Sequence, residues 1–114
     1  MKVYHNPRCK KSREALAYLE EKGVAFEVRQ YMKDEESMTA TEFEEVLDAL
    51  NMDAIDLVRK NEVLWKEEYR GLELGEDEII LAMIENPRLM QRPVIMNGDK
   101  AVVARPADKA QEVW

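Results

Sequence analysis

Cys9 is the only cysteine in the chain. It stands in the run His5-Asn6-Pro7-Arg8-Cys9-Lys10-Lys11-Ser12-Arg13, with a strand-like stretch, Lys2-Val3-Tyr4, before it and a helix-like stretch, Glu14 to Lys22, after it. A free thiol has a pKa of about 8.5, so little of it is thiolate at neutral pH. At a helix N-terminus a thiol meets unpaired backbone amides and the positive end of the dipole, and neighbouring cations add to both. These effects lower the pKa and raise the nucleophilic fraction. Cys9 therefore reads as a nucleophile, in preference to an inert buried cysteine. Ser12, three residues on, can donate its hydroxyl to the sulfur, or face solvent as an ordinary helix serine. His5, the only histidine, either orients the loop and exchanges protons near the thiol, or simply hydrogen-bonds backbone. One histidine and one cysteine cannot build a tetrahedral zinc site within one chain. A Cys-His hydrolase would need an orienting acid that nothing marks.

Charge points to the kind of ligand. The chain has 17 Lys+Arg and 24 Asp+Glu, a net charge of −7, which argues against general nucleic-acid affinity. Yet Lys2, Arg8, Lys10, Lys11 and Arg13 fall in a leading segment that holds no acid. A cationic spot around Cys9 on an acidic body suits a small anion, although Lys10 and Lys11 also fit a solvated helix start. With 114 residues, 46% of them apolar, the expectation is one domain, 1–114, with a core that needs no disulfide. A lone cysteine fits a reducing compartment, and no apolar leader or membrane-length stretch is visible, so a soluble cytoplasmic protein is expected.

The elements that must hold this loop follow from periodicity. Lys2–His5 reads as a short buried strand, Lys10–Lys22 as a helix stopped by Gly23, and Ala25–Tyr31 as a second strand. That is a β-α-β crossover, expected to be right-handed with parallel strands. Thr39 or Thr41 can cap a helix with an apolar face of Phe43, Val46, Leu47 and Leu50. Ile55, Leu57 and Val58 continue a helical pattern into Arg59-Lys60-Asn61, and Val63-Leu64-Trp65 mark a further helical turn. Gly71 and Gly75 bracket a loop, and acids at 76–78 open a helix with Ile79, Ile80, Met83 and Ile84 buried. Pro93–Met96, Asn97-Gly98-Asp99 and Lys100–Ala104 form a strong hairpin signal, and a short helix closes the chain after Pro106. The order predicts an α/β, thioredoxin-like fold: a four-stranded mixed sheet flanked by helices, with a helical insertion between the second and third strands.

The hairpin adds a geometric expectation. Arg92 precedes its first strand and Arg105 follows its second. A Gly98-Asp99 turn puts them directly opposite, and an Asn97-Gly98 turn offsets them by two. Like charges facing each other across strands are unfavourable, and an anion between them relieves this. With the third strand antiparallel to the first, both arginines arrive beside Cys9.

These residues resemble a family. The chain is similar nearly end to end to the glutaredoxin-coupled arsenate reductases, which share a thioredoxin-like fold with the Spx transcription regulators. Tyr4 through Arg13 looks like the active-site loop, Leu57-Val58-Arg59-Lys60-Asn61 like the motif of a first anion-binding arginine, and Glu85 through Pro93 and Ala104-Arg105-Pro106 like those of a second and third. The resemblance is to the short branch, whose chains stop soon after that last motif, and Arg8 with the two lysines loads the loop with more charge than the family pattern. It implies Cys9 as nucleophile, Arg59, Arg92 and Arg105 as oxyanion ligands, and Pro93 as a cis-proline facing the cysteine. It further implies arsenate reduced to arsenite in arsenic detoxification, with no bound cofactor, glutathione as co-substrate and glutaredoxin as partner. A monomer is the default expectation. Two other readings remain: an Spx-like regulator binding RNA polymerase, for which Ser12 stands where a second redox cysteine is usual, and a thiol transferase acting on glutathione adducts.

Overall fold

The computed structural model describes all 114 residues apart from the side chain of Asp34. Its centre is a four-stranded sheet in the order β2-β1-β3-β4. The strands are β1 (Lys2–His5), β2 (Glu27–Gln30), β3 (Val94–Asn97) and β4 (Lys100–Val103). β1 and β2 are parallel, with Lys2 opposite Glu27 and His5 opposite Gln30. β3 runs antiparallel to β1, with Tyr4 opposite Val94. This is the thioredoxin-like arrangement expected from the order of elements.

β2 is shorter than the alternating stretch from Ala25 to Tyr31. It is an edge strand whose one partner, β1, offers four residues, so the ladder cannot extend further. The helices are α1 (Lys10–Glu21), α2 (Ala40–Leu50), α3 (Ala54–Leu57) and α4 (Glu76–Glu85). A π-helical turn spans Trp65–Tyr69, and a 3-10 helix, Ala107–Val113, ends the chain. Gly23, at φ 69, closes α1, with its N–H on Glu20 O and the Val24 N–H on Leu19 O. That left-handed turn is open to glycine at little steric cost.

Strand alternation divides the core between two faces. Val3 and Ile95 join Ala15, Leu19, Ala110 and Val113, so α1 and the C-terminal 3-10 helix cover one face. Tyr4 and Val94 join Phe43, Val46, Leu57, Ile80 and Met83, so α2, α3 and α4 cover the other. Full burial of each such aliphatic chain contributes about 1.5–3 kcal/mol. No helix among the described residues is long and apolar enough to cross a membrane.

The sequence carried helical periodicity through Val58 into Arg59, and here the structure differs. α3 stops at Leu57, and Val58 turns extended and bridges Met90. The Arg59 N–H donates to Leu89 O at 2.6 Å, and the Gln91 N–H donates to Leu57 O at 2.8 Å. A short ladder thus replaces the helix and brings Arg59 alongside the segment that leads into Arg92.

Candidate active site

The topology gathers four strand ends at one edge of the sheet. β1 and β2 finish there, at His5 and Gln30; β3 begins there and β4 finishes there, with Val94 opposite Val103. The hairpin turns through Gly98-Asp99, where Gly98 sits at φ 64. Its register continues one pair beyond the strands, with the Ala104 N–H on Pro93 O at 2.9 Å. Arg92 and Arg105 therefore leave the hairpin from the same end. The Arg92–Pro93 and Arg105–Pro106 peptide bonds are both cis; the second was not expected from the sequence.

Cys9 is the N-cap residue of α1, with extended backbone angles. The loop before it is tied down by Asn6, whose Oδ1 accepts from the Arg8 N–H at 3.0 Å and whose carbonyl accepts from the Cys9 N–H at 3.0 Å. The Arg13 guanidinium donates to Pro7 O at 2.9 Å. Half-burial pushes the Cys9 pKa up. The Ser12 N–H, the Arg92 side chain and the Lys11 N–H favour the thiolate and outweigh that effect, so the pKa lies below the free-thiol value. Amides at the helix start and a guanidinium together favour the thiolate.

Ser12 is buried rather than solvent-facing. Its Oγ accepts from the Asn6 N–H at 3.4 Å, and its backbone amide is the group that acts on the thiol. His5 is buried, and its pKa is lowered by burial and then by Arg13. Its Nδ1 has no hydrogen-bond partner among the described residues, so it does not serve as an ordinary backbone anchor through that nitrogen. Arg8 is exposed at the loop surface and contributes its backbone N–H to the loop turn.

The three arginines converge. Arg59 Nη1 and Arg92 Nη1 donate to the same acceptor, the carbonyl of Arg88, at 3.2 and 3.4 Å. Arg59 is further held by Glu62, at 3.4 Å, and Glu62 also pairs with the Arg88 side chain at 3.6 Å. The Arg59 pKa is lowered first by burial and then by repulsion from Arg92, with Arg105 adding to it and Glu62 and Cys9 opposing. Arg105 is exposed and shares with Arg59, Lys60, Asn61 and Gln91 a cleft of about 360 Å³. Cations pressed together beside a thiol favour an anion in their midst, and guanidinium forks match oxyanion geometry. Trp65 and Tyr69 stack on each other, with centroids 5.5 Å apart, and belong to the helical core.

Sequence reasoning missed Glu62, the Arg88 carbonyl and Tyr31. Nothing local marks the first two. Tyr31 follows β2 directly, is buried, and its hydroxyl has no partner among the described residues. The signal for it was present: a tyrosine ending the strand parallel to the one that feeds the Cys9 loop.

A model of the ArsC family matches residues 4–113. The chain is 34% identical to an arsenate reductase of Haemophilus influenzae over 113 residues, covering 97% of this chain and 96% of that one. It is 41% identical to the uncharacterized protein YfgD of Escherichia coli K12 over 115 residues, covering 99% and 95%. The solved arsenate reductase of Vibrio cholerae superposes with a TM-score of 0.91 at 36% identity, over 100% of this chain and 98% of that one.

Proposed function

Since the chain belongs to the ArsC family, we propose that it is an arsenate reductase-like thiol oxidoreductase with Cys9 as nucleophile and Arg59, Arg92 and Arg105 as oxyanion ligands. The observation that carries this reading is the Cys9 thiol at the start of α1, with its pKa lowered by the Ser12 amide and by Arg92, an arginine that shares one carbonyl with Arg59. The Cys9 thiolate attacks arsenic of arsenate, forming a sulfur–arsenic bond while one arsenate oxygen leaves as water. The arginines hold the remaining oxygens and balance the charge that shifts in the transition state. A glutathione thiolate then attacks the Cys9 sulfur. The sulfur–arsenic bond breaks with its electron pair on arsenic, which passes from As(V) to As(III), and the two sulfurs become a mixed disulfide. A glutaredoxin thiol releases Cys9 by exchange at the glutathione sulfur. The lone cysteine supports an external thiol, because no second sulfur in the chain can close a disulfide on Cys9. This chemistry draws on glutathione and so suits a reducing cytoplasm.

The test is arsenate-dependent oxidation of glutathione in the presence of glutaredoxin, with wild type and Cys9→Ser. Turnover lost in Cys9→Ser is expected. Equal turnover in both would overturn the reading. Reduction of a glutathionylated peptide without any arsenate-dependent turnover would assign the protein to thiol transfer instead.

A further inference from the structure

Three buried side-chain polar atoms lack a hydrogen-bond partner among the described residues: His5 Nδ1, Tyr31 OH and Arg92 Nε. All three belong to strand ends at the edge that carries Cys9. His5 ends β1, Tyr31 follows Gln30 at the end of β2, and Arg92 leads into β3. Buried polar groups are almost always satisfied, so a cluster of orphans at one place points to a group that binds there. Arg92 Nε is a donor in need of an acceptor, and a phenol is a donor as well.

We propose that the Tyr31 hydroxyl is a further oxyanion-binding group of the site, a neutral donor to one oxygen of the anion held by Arg59, Arg92 and Arg105. The inference rests on the proposed function for the presence of that anion. Each strand of the sheet then delivers one element: β1 the Cys9 loop, β2 Tyr31, β3 Arg92 and β4 Arg105. The hydroxyl stands within the electrostatic reach of Arg92, Cys9 and Arg59, and burial raises its pKa, so it remains a protonated donor at every working pH. A neutral donor also suits a place where Arg59 and Arg92 already repel. It adds a hydrogen bond to the ligand without adding to that repulsion.

The experiment compares wild type with Tyr31→Phe, a change that keeps the buried ring. Arsenate and then sulfate are titrated by calorimetry and followed by thermal melting, with no thiol reductant present. Tyr31→Phe is expected to weaken anion binding about ten- to hundredfold, the effect of removing one hydrogen bond to a charged partner. The anion-free protein is expected to melt no lower, because the hydroxyl removed has no partner in the fold. The Cys9 pKa is expected to stay where it is. A purely structural hydroxyl would give the reverse pattern, a lower melting temperature with anion binding intact, and would overturn the proposal. A raised Cys9 pKa with unchanged anion affinity would also overturn it, assigning the hydroxyl to the thiolate. Anion binding equal in both proteins removes this inference alone, whereas a wild type that binds neither anion removes the oxyanion site with it. In wild type, anion addition should perturb the absorbance of a buried tyrosine, and this measurement needs no variant to fold.

Discussion

Arg59 and Arg92 donate to one carbonyl oxygen, that of Arg88, at 3.2 and 3.4 Å. Two guanidinium groups so placed repel, and burial of Arg59 sharpens the repulsion. Glu62 partly offsets it, because its carboxylate lies 3.4 Å from Arg59 and 3.6 Å from Arg88. The arrangement holds two forks ready beside the thiol at a cost that an anion relieves.

The roles of the arginines should separate. Arg92 is the arginine that lowers the Cys9 pKa. Arg92→Gln should therefore raise the Cys9 pKa toward the free value of about 8.5 and weaken anion binding as well. The sign for stability follows. The native thiol gives up its proton more readily than the unfolded one, so it contributes stability above about pH 8.5 that is lost as pH falls through the folded pKa. Alkylation rate against pH gives the pKa, and melts across the same range give the linkage. An unchanged alkylation profile in Arg92→Gln would contradict this assignment.

Arg105 gives the contrast. It is exposed in the cleft it shares with Arg59, whose pKa it lowers, and it is not among the groups that act on the thiol. Arg105→Gln should leave the alkylation profile of Cys9 nearly in place while lowering kcat/KM for arsenate about tenfold or more, as for one charge-assisted hydrogen bond. Steady-state kinetics beside alkylation rates would show whether both parameters move together, which would mean that Arg105 acts on the thiol after all.

How far the sequence foretells this site depends on the range of the contacts involved. Arg92 and Arg105 fall together because a hairpin turning at either Asn97-Gly98 or Gly98-Asp99 brings both to one end, and the hairpin is a local signal. Cys9 was legible because strand, turn and helix follow in unbroken order around it. Arg59 was not. Apolar spacing continued the helix past Leu57, whereas the chain there pairs with Leu89 and Gln91, a contact that no local pattern announces. Tyr31 read as the last residue of an alternating strand. Its hydroxyl gains meaning only once β2 is seen to end beside the Cys9 loop.

The approach to the site along β2 has its own acid limit. Arg29, in β2, holds Glu42 of α2 through two bonds, Nε to Oε2 at 3.2 Å and Nη2 to Oε1 at 3.0 Å. The same guanidinium donates to Ser37 O at 3.2 Å and to Glu36 O at 2.6 Å, fixing the loop that follows Tyr31. Glu42 also closes the α2 capping box with Thr39. Burial raises the Glu42 pKa, but Arg29 and the Thr39 N–H outweigh it and hold the carboxyl low. A depressed carboxyl contributes stability that is full above its unfolded value, about 4.3, and is lost as pH falls through the folded one. His5 opens an earlier window. Its folded pKa is lowered, so the native state favours the neutral ring, and stability declines as pH drops below the unfolded value of about 6.5. Melts should be run in Cys9→Ser, which removes the linkage of the thiol. Added to this background, His5→Asn should flatten the decline just below pH 6.5, and Glu42→Gln should flatten the one near pH 4. Arg29→Met should cost about 1–3 kcal/mol at neutral pH, since it removes the donor to Glu42 and to the carbonyls of Gln30, Glu36 and Ser37 at once, with partial exposure keeping the loss moderate. A slope below pH 6.5 that His5→Asn leaves intact would mean that some other group takes up the proton.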